Sequence, residues 1–334
     1  MMDTLRLLMS RQLKRSKLAQ TTSGFTMIEL MVAMVLAVLV ITPMLTFMNN
    51  IMDNDRKEQA KATSEQEIQS ALDYIDQDLE QAVYIYDADG LNNVLNSSTS
   101  GIKDQIPPVA APAASAASCV NNPPNDLCVP ILVFWKRKFS QGVLSVPGST
   151  VNNDTFVYSL VAYYLIQGNN ANGTWSKTAR IGRFEIRDGV TNPANPTNAN
   201  GTPNYITPLS PGFKLFDLTL TGQGLKDKMD HWQKDSPAYT DSPSNFILVD
   251  YIDQTQNTTA TCPANTQQVP SSTLAGGFYA CVDSSKTSAQ IYIRGNALAR
   301  LTTVATVPTY SNSQFTYFPT ASIQIQGRGL LGAN

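Results

Sequence analysis

The sequence predicts an α+β fold in which a long N-terminal helix, transmembrane and then amphipathic, packs on an antiparallel β-rich globular domain. Three observations carry this. Phe25 to Met48 is a run of about 24 residues with one charge, Glu29, long enough at about 1.5 Å per residue to span a bilayer. Ile68, Ala71, Leu72, Ile75, Leu79, Ala82 and Val83 then recur at helical steps of three and four. From Pro130 onward, apolar residues gather into β-branched and aromatic runs bounded by Gly, Pro and Asn.

Two plain readings of the first run fall short. A secretory signal peptide has an apolar core of about 7–15 residues and a small-x-small cleavage site. This run is longer, and Thr42-Pro43-Met44-Leu45-Thr46-Phe47 follows without such a site. A plain single-pass anchor fits the length but leaves Gly24-Phe25-Thr26-Met27-Ile28-Glu29-Leu30 unexplained. Glu29 is the informative residue, because a carboxylate inside a membrane segment costs about 3 kcal/mol unless something pairs with it. Arg6, Arg11, Lys14, Arg15 and Lys17 stand against Asp3 in residues 1–24. That positive end is expected to stay cytoplasmic, which puts the chain after Met48 beyond the membrane. Pro43 removes one helical hydrogen bond and is expected to kink the helix.

The second half of the helix is amphipathic. Arg56, Lys57, Glu58, Lys61, Glu65, Glu67, Asp73, Asp76, Asp78 and Glu80 lie between and before its apolar positions. They leave one face for a sheet and one for solvent. No Gly or Pro falls between Met44 and Asp89. One helix from Phe25 to about Val83 would run about 58 residues, roughly 87 Å. A break at Asn49-Asn50, giving an anchor and a separate helix, is the alternative.

Residues 88–128 are rich in Asn, Ser, Ala and Pro and read as a surface loop, as do residues 188–212. Strands are expected at 130–135, 155–166, 179–186, 246–252, 289–295 and 322–326, with a short helix or turn around Lys226–Gln233. The chain after the helix is long enough to bury a core. It reads as one globular domain, with two domains the alternative. The expected layout is a leader at 1–24, the helix at 25–83 with its membrane part at 25–48, and a β-rich extracytoplasmic domain at 84–334.

The chain has 24 basic and 26 acidic residues; without residues 1–24 it would carry 19 and 25, a net charge of −6. No basic patch points to nucleic acid. The four cysteines are Cys119, Cys128, Cys262 and Cys281, and an exported location makes disulfides the default. Of the three connectivities, Cys119–Cys128 with Cys262–Cys281 is the simplest. A zinc site would need Cys-x-x-Cys-type spacing, which is absent.

Catalysis has little support. The single histidine, His231, lies between Asp230 and Trp232 with no nucleophile elbow or partnered Cys, and reads as structural. Asp250 and Asp253 have the composition of a glycosidase pair or calcium ligands. A spacing of three in a strand puts them on opposite faces, which favours a strand-end role. No catalytic residue, metal or cofactor is expected. Asn-x-Ser/Thr triplets at Asn96, Asn153, Asn172, Asn200 and Asn257 are expected by chance in so Asn- and Thr-rich a chain.

Gly24, Phe25, Thr26, Ile28, Glu29, Leu30 and the apolar run resemble the type III signal sequence of type IV prepilins and pseudopilins. The resemblance implies that a membrane peptidase cuts after Gly24 and that the new N-terminal Phe25 is N-methylated. It also implies that Glu29 of one subunit pairs with the Phe25 amine of a neighbour. Two charges in a low-dielectric layer relieve each other only when the subunits are in register. The implied partners are other pilins or pseudopilins, the prepilin peptidase and an inner-membrane assembly platform. The implied location is the inner membrane, single-pass with the N-terminus cytoplasmic, and after assembly a periplasmic or extracellular filament. The tract from Asp55-Arg56-Lys57-Glu58 to Asp78-Leu79-Glu80 is similar to that of larger minor pilins and pseudopilins. In detail it resembles pseudopilins linked to hormogonium polysaccharide secretion in cyanobacteria. This implies a structural, non-enzymatic subunit that supports polysaccharide secretion and motility, with exported polysaccharide as a further partner. A membrane-anchored adhesin or carbohydrate-binding module is the alternative, and an anchored extracytoplasmic enzyme the second.

The cleavage expectation is open to a direct test. Gly24→Ala should leave uncut precursor in the membrane, visible as a larger species on immunoblots; mature protein at normal levels would place the cut elsewhere.

Overall fold

The computed structural model describes residues 24–96, 98–108, 127–145, 151–167, 174–220, 224–236, 239–255, 261–270, 276–301 and 306–329. The chain divides into two compact units, one ending at Asp55 and one beginning at Arg56. Helix α1 is Met27–Glu80, with no interruption at Asn49-Asn50.

In the first unit, the large apolar side chains of α1 are exposed on all sides. An apolar surface all round a helix is the pattern of a membrane span. This part of the helix is long and apolar enough to cross a bilayer.

In the second unit, Ala60, Ser64, Ile68, Ala71, Leu72, Ile75, Asp78 and Leu79 form the buried stripe of α1. The helix stops at Glu80, three residues short of the expected Val83. Ala82–Ile85 forms strand β1 instead, with all four residues buried. Ala82 and Val83 continue the helical spacing after Leu79, so periodicity alone does not separate the two elements. Pairing decides it, because Tyr84 lies opposite Trp135 and Ile85 opposite Phe134.

The main sheet is antiparallel, in the order β1-β2-β3-β4-β7. Its further strands are β2 (Leu127–Leu144), β3 (Asn153–Gln167), β4 (Ala179–Arg187) and β7 (Ile247–Ile252). The expected strands at 130–135, 155–166, 179–186 and 246–252 lie within or close to these. Residues 159–166 of β3 are all buried, so the sheet is covered on both faces. One face, with Phe134 stacked on Tyr163, meets α1. On the other, Trp135 makes edge contacts with Phe213, Phe216 and Trp232, and Phe184 with Tyr239. This aromatic cover comes from the segment around helix α3 (Leu225–Asp230), inside the region expected at Lys226–Gln233. The Trp135 indole donates to the Tyr86 hydroxyl at 3.0 Å, which donates to the Met229 carbonyl at 3.0 Å.

A second antiparallel sheet runs β11-β10-β9-β8. β10 (Ser288–Arg294) and β11 (Thr320–Gln326) match expected runs, whereas β8 (Gln267–Val269) and β9 (Phe278–Asp283) were not anticipated. The two sheets meet at Asp253, whose amide donates to the Arg294 carbonyl at 2.9 Å and whose carbonyl accepts from Gly277 at 2.8 Å. A Cβ at Gly277 would collide with that carbonyl.

Both expected loops need correction. Residues 88–108 include helix α2 (Ala88–Asn92), and Leu91, Ile102 and Ile106 are buried. Three apolar anchors suffice to fold a polar stretch onto the core, and Asp87 caps α2 by accepting the Gly90 amide at 3.2 Å. Residues 109–126 lie outside the described residues. Within 188–212, β5 (Val190–Thr191) and β6 (Tyr205–Thr207) pair as a small antiparallel ribbon.

The helix and main sheet share one buried charge network. Asp78 of α1 is 8% exposed. It accepts from Lys136 Nζ of β2 at 2.6 Å, the Tyr163 hydroxyl of β3 at 2.6 Å and Arg183 Nε of β4 at 2.8 Å. Arg183 Nη1 reaches Glu185 at 2.9 Å, and Glu185 takes Lys138 Nζ at 2.8 Å. Burial opposes ionisation of Asp78, but Arg183 and Lys136 outweigh it and hold the carboxyl below its usual range. Burial opposes ionisation of Glu185 too, and Arg183 and Lys138 pull it down to about 2.

Asp78→Ala should lower stability by about 3–5 kcal/mol, since Lys136 stays buried without its partner; a thermal midpoint within a degree or two of wild type would contradict this. Depressed carboxylate values contribute stability above the unfolded-state value and lose it as pH falls through the folded one. The wild-type midpoint should therefore fall as pH drops from about 4.5 towards 2, and fall less in the variant.

Candidate functional site

Gly24, Phe25 and Thr26 precede the first turn of α1. Phe25 is 81% exposed. Thr26 caps the helix: its carbonyl accepts the Leu30 amide at 3.1 Å and its hydroxyl accepts the Glu29 amide at 3.3 Å. Glu29 is thus the third helical residue, and Thr26-Met27-Ile28-Glu29 has the spacing of a capping box. That position lies at the positive end of the helix dipole, which favours a carboxylate. Capping was a role the sequence reading did not assign to Thr26, although the Thr-x-x-Glu spacing carried the signal. From Phe25 to Met52 the one charged side chain is Glu29, and it makes no ion pair among the described residues.

Residues 20–45 match the family model of the prokaryotic N-terminal methylation motif. This supports a type IV pilin-like chain. Comparison with curated proteins and with solved structures gave no match. The family of the motif is a structural one, and the motif implies processing by a prepilin peptidase and assembly with other pilins. With the one apolar span in α1 it fits single-pass anchoring in the inner membrane.

The remaining candidates from the sequence make the following contacts. His231 ends α3, with Nδ1 2.6 Å from the Asp227 carbonyl and 3.5 Å from its carboxylate. Asp250 lies within β7 and accepts the Ser176 amide and hydroxyl, each at 2.7 Å. Asp253 follows β7; one carboxylate oxygen takes Arg294 Nε at 2.7 Å, and the other the amide and hydroxyl of Thr255 at 3.1 and 2.8 Å. Among the described residues, no group of three or more His, Cys, Asp or Glu is placed to hold a metal ion. Lys226 joins Asp87 at 2.6 Å to Asp230 at 3.0 Å. Burial raises the Asp230 carboxyl to about 6; Lys226 opposes the rise and Asp87 adds to it. Asn96 holds a turn by accepting the Ser98 and Thr99 amides, while Asn172 and Asn257 lie outside the described residues.

Cys262 and Cys281 form a disulfide with Cα atoms 5.5 Å apart, tying β9 to the segment before β8. Cys119 lies outside the described residues, and with it the expected Cys119–Cys128 pairing. Closing a loop of 19 residues of separation stabilises by about 3 kcal/mol in the chain-entropy model. Cys262→Ser with Cys281→Ser should lower the thermal midpoint accordingly; an unchanged midpoint would show that the bridge does not constrain the unfolded chain.

Proposed function

We propose that the chain is a minor pilin or pseudopilin, a structural subunit of a type IV pilus-like or secretion filament that supports polysaccharide secretion and motility. The observation that carries this is the methylation motif at residues 20–45, set at the start of a helix whose first half keeps its large apolar side chains exposed on all sides. In this reading the peptidase cuts after Gly24, Phe25 becomes the methylated N-terminus, and the subunit waits in the inner membrane. It is then extracted into a filament whose core is built from the apolar helices, with the β-rich domain outermost. Work comes from cytoplasmic machinery, so the subunit needs no nucleotide site. The narrower assignment to polysaccharide secretion is supported by the likeness of the Asp55–Glu80 tract to pseudopilins of that kind.

Glu29 sets register in this mechanism. Its carboxylate and the Phe25 amine of a neighbour each remove the other's desolvation cost. Glu29→Ala should insert into the membrane at least as well as wild type and still be cut after Gly24. Incorporation into filaments should fall by about tenfold or more, because the neighbouring amine is left unpaired in an apolar layer. Comparing membrane and sheared-surface fractions measures this, and equal recovery of variant and wild type in purified filaments would overturn the pairing role.

A further inference from the structure

A groove of about 750 Å³ opens beside the second half of α1. Gln66 and Glu67 of α1 line it, with Asp250 and Tyr251 of β7, Trp175 and Arg300. Its volume is within the range of small-ligand sites. The Arg300 guanidinium lies 4.2 Å from the centre of the Tyr251 ring and pairs with Glu67. Its Nε is buried and has no hydrogen-bond partner among the described residues, a state that costs free energy. Tyr251 sits at φ 59°, in the left-handed region although it is not a glycine. Its amide donates to Asp250 at 2.8 Å and its carbonyl accepts from Asn296 at 2.7 Å. Strain of this kind persists where surroundings over-determine it, often at ligand clamps. Tyr251 and Asp250 are therefore held in place before any ligand arrives. Trp175 is 41% exposed at the groove, whereas Trp135 and Trp232 are buried.

We propose that this groove binds a short stretch of neutral glycan. A sugar offers an apolar C–H face and a rim of hydroxyls that both donate and accept. Trp175 supplies a platform for the face. Gln66, Glu67 and Arg300 supply planar groups able to make paired hydrogen bonds to the rim. The charge balance excludes an anionic chain, because Glu67 already counters Arg300 and Asp250 adds a second carboxylate. A lining that mixes polar groups with Ile247, Leu248 and Val249 also suits the two kinds of surface a sugar presents. Placing glycan here rests on the filament reading only for putting the domain outside the cytoplasm.

The test uses the full chain, purified in a detergent without a sugar head group. Iodide quenching of tryptophan fluorescence reports mainly Trp175, since the other two tryptophans are buried. The probes are cellohexaose, maltohexaose and xylohexaose, with hexagalacturonate as the anionic control. At least one neutral hexasaccharide should shield Trp175 saturably. By calorimetry, Trp175→Ala should weaken that binding about tenfold or more, and Trp175→Phe should keep most of it. No neutral binding at millimolar probe would overturn the proposal, as would tighter binding of hexagalacturonate or unchanged affinity in a folded Trp175→Ala. The filament reading fails separately. Trp175→Ala should enter filaments normally, and Glu29→Ala should bind the hexasaccharide as wild type does. Loss of filament entry in Trp175→Ala with glycan binding intact would assign the groove to a subunit contact and overturn the proposal.

Discussion

The second unit depends on a carboxylate that is buried and fully partnered. Asp78 places a negative charge on the inner face of α1, where burial alone would neutralise it. Its partners come from three adjacent strands, Lys136, Tyr163 and Arg183. Rotating or sliding the helix by one position would leave at least one of these charges buried and alone, a heavy penalty in a desolvated site. Apolar packing tolerates such shifts far better. One carboxylate therefore couples the rotation of the helix to the register of β2, β3 and β4. With that face committed, the opposite face of the sheet is free to take the aromatic cover around Trp135.

Glu29 presents the same physics with a different solution. It is a carboxylate in the apolar stretch of α1 and has no cationic partner among the described residues. The helix dipole steadies it only in part. Asp78 finds its cations within the chain, so it organises a fold. Glu29 does not, and the proposed function assigns its cation to the N-terminus of a second subunit. On that view one helix holds two buried-charge devices, one for folding and one for assembly.

Much of this was legible in the sequence, for identifiable reasons. The apolar run with its lone Glu29 and the Gly24-Phe25 junction are local, so they stand out without a structure. Within the expected strand at 155–166, Leu160 to Ile166 are continuously apolar rather than alternating, the pattern of a strand buried on both faces. The end of α1 was not legible, because Ala82 and Val83 satisfy the helical spacing and only pairing with β2 makes them a strand. β9 was missed although Phe278-Tyr279-Ala280-Cys281-Val282 is an apolar run after Gly276-Gly277, because Cys281 was read as part of a loop; β10 pairs beside it. The burial of Ile102 and Ile106 was hidden by the polar residues around them. The Asp78 network and the groove are assembled from segments far apart in the chain. No spacing rule connects Glu67, Trp175, Tyr251 and Arg300, and Tyr251 gives no sequence sign of its backbone strain.

Whether the chain is processed as a type IV pilin-like subunit is decided by intact-mass analysis of native protein. That processing leaves a polypeptide that begins at Phe25, with one methyl group on its amine. A chain that retains residues 1–24, is cut at another bond, or begins at an unmodified Phe25 would contradict it.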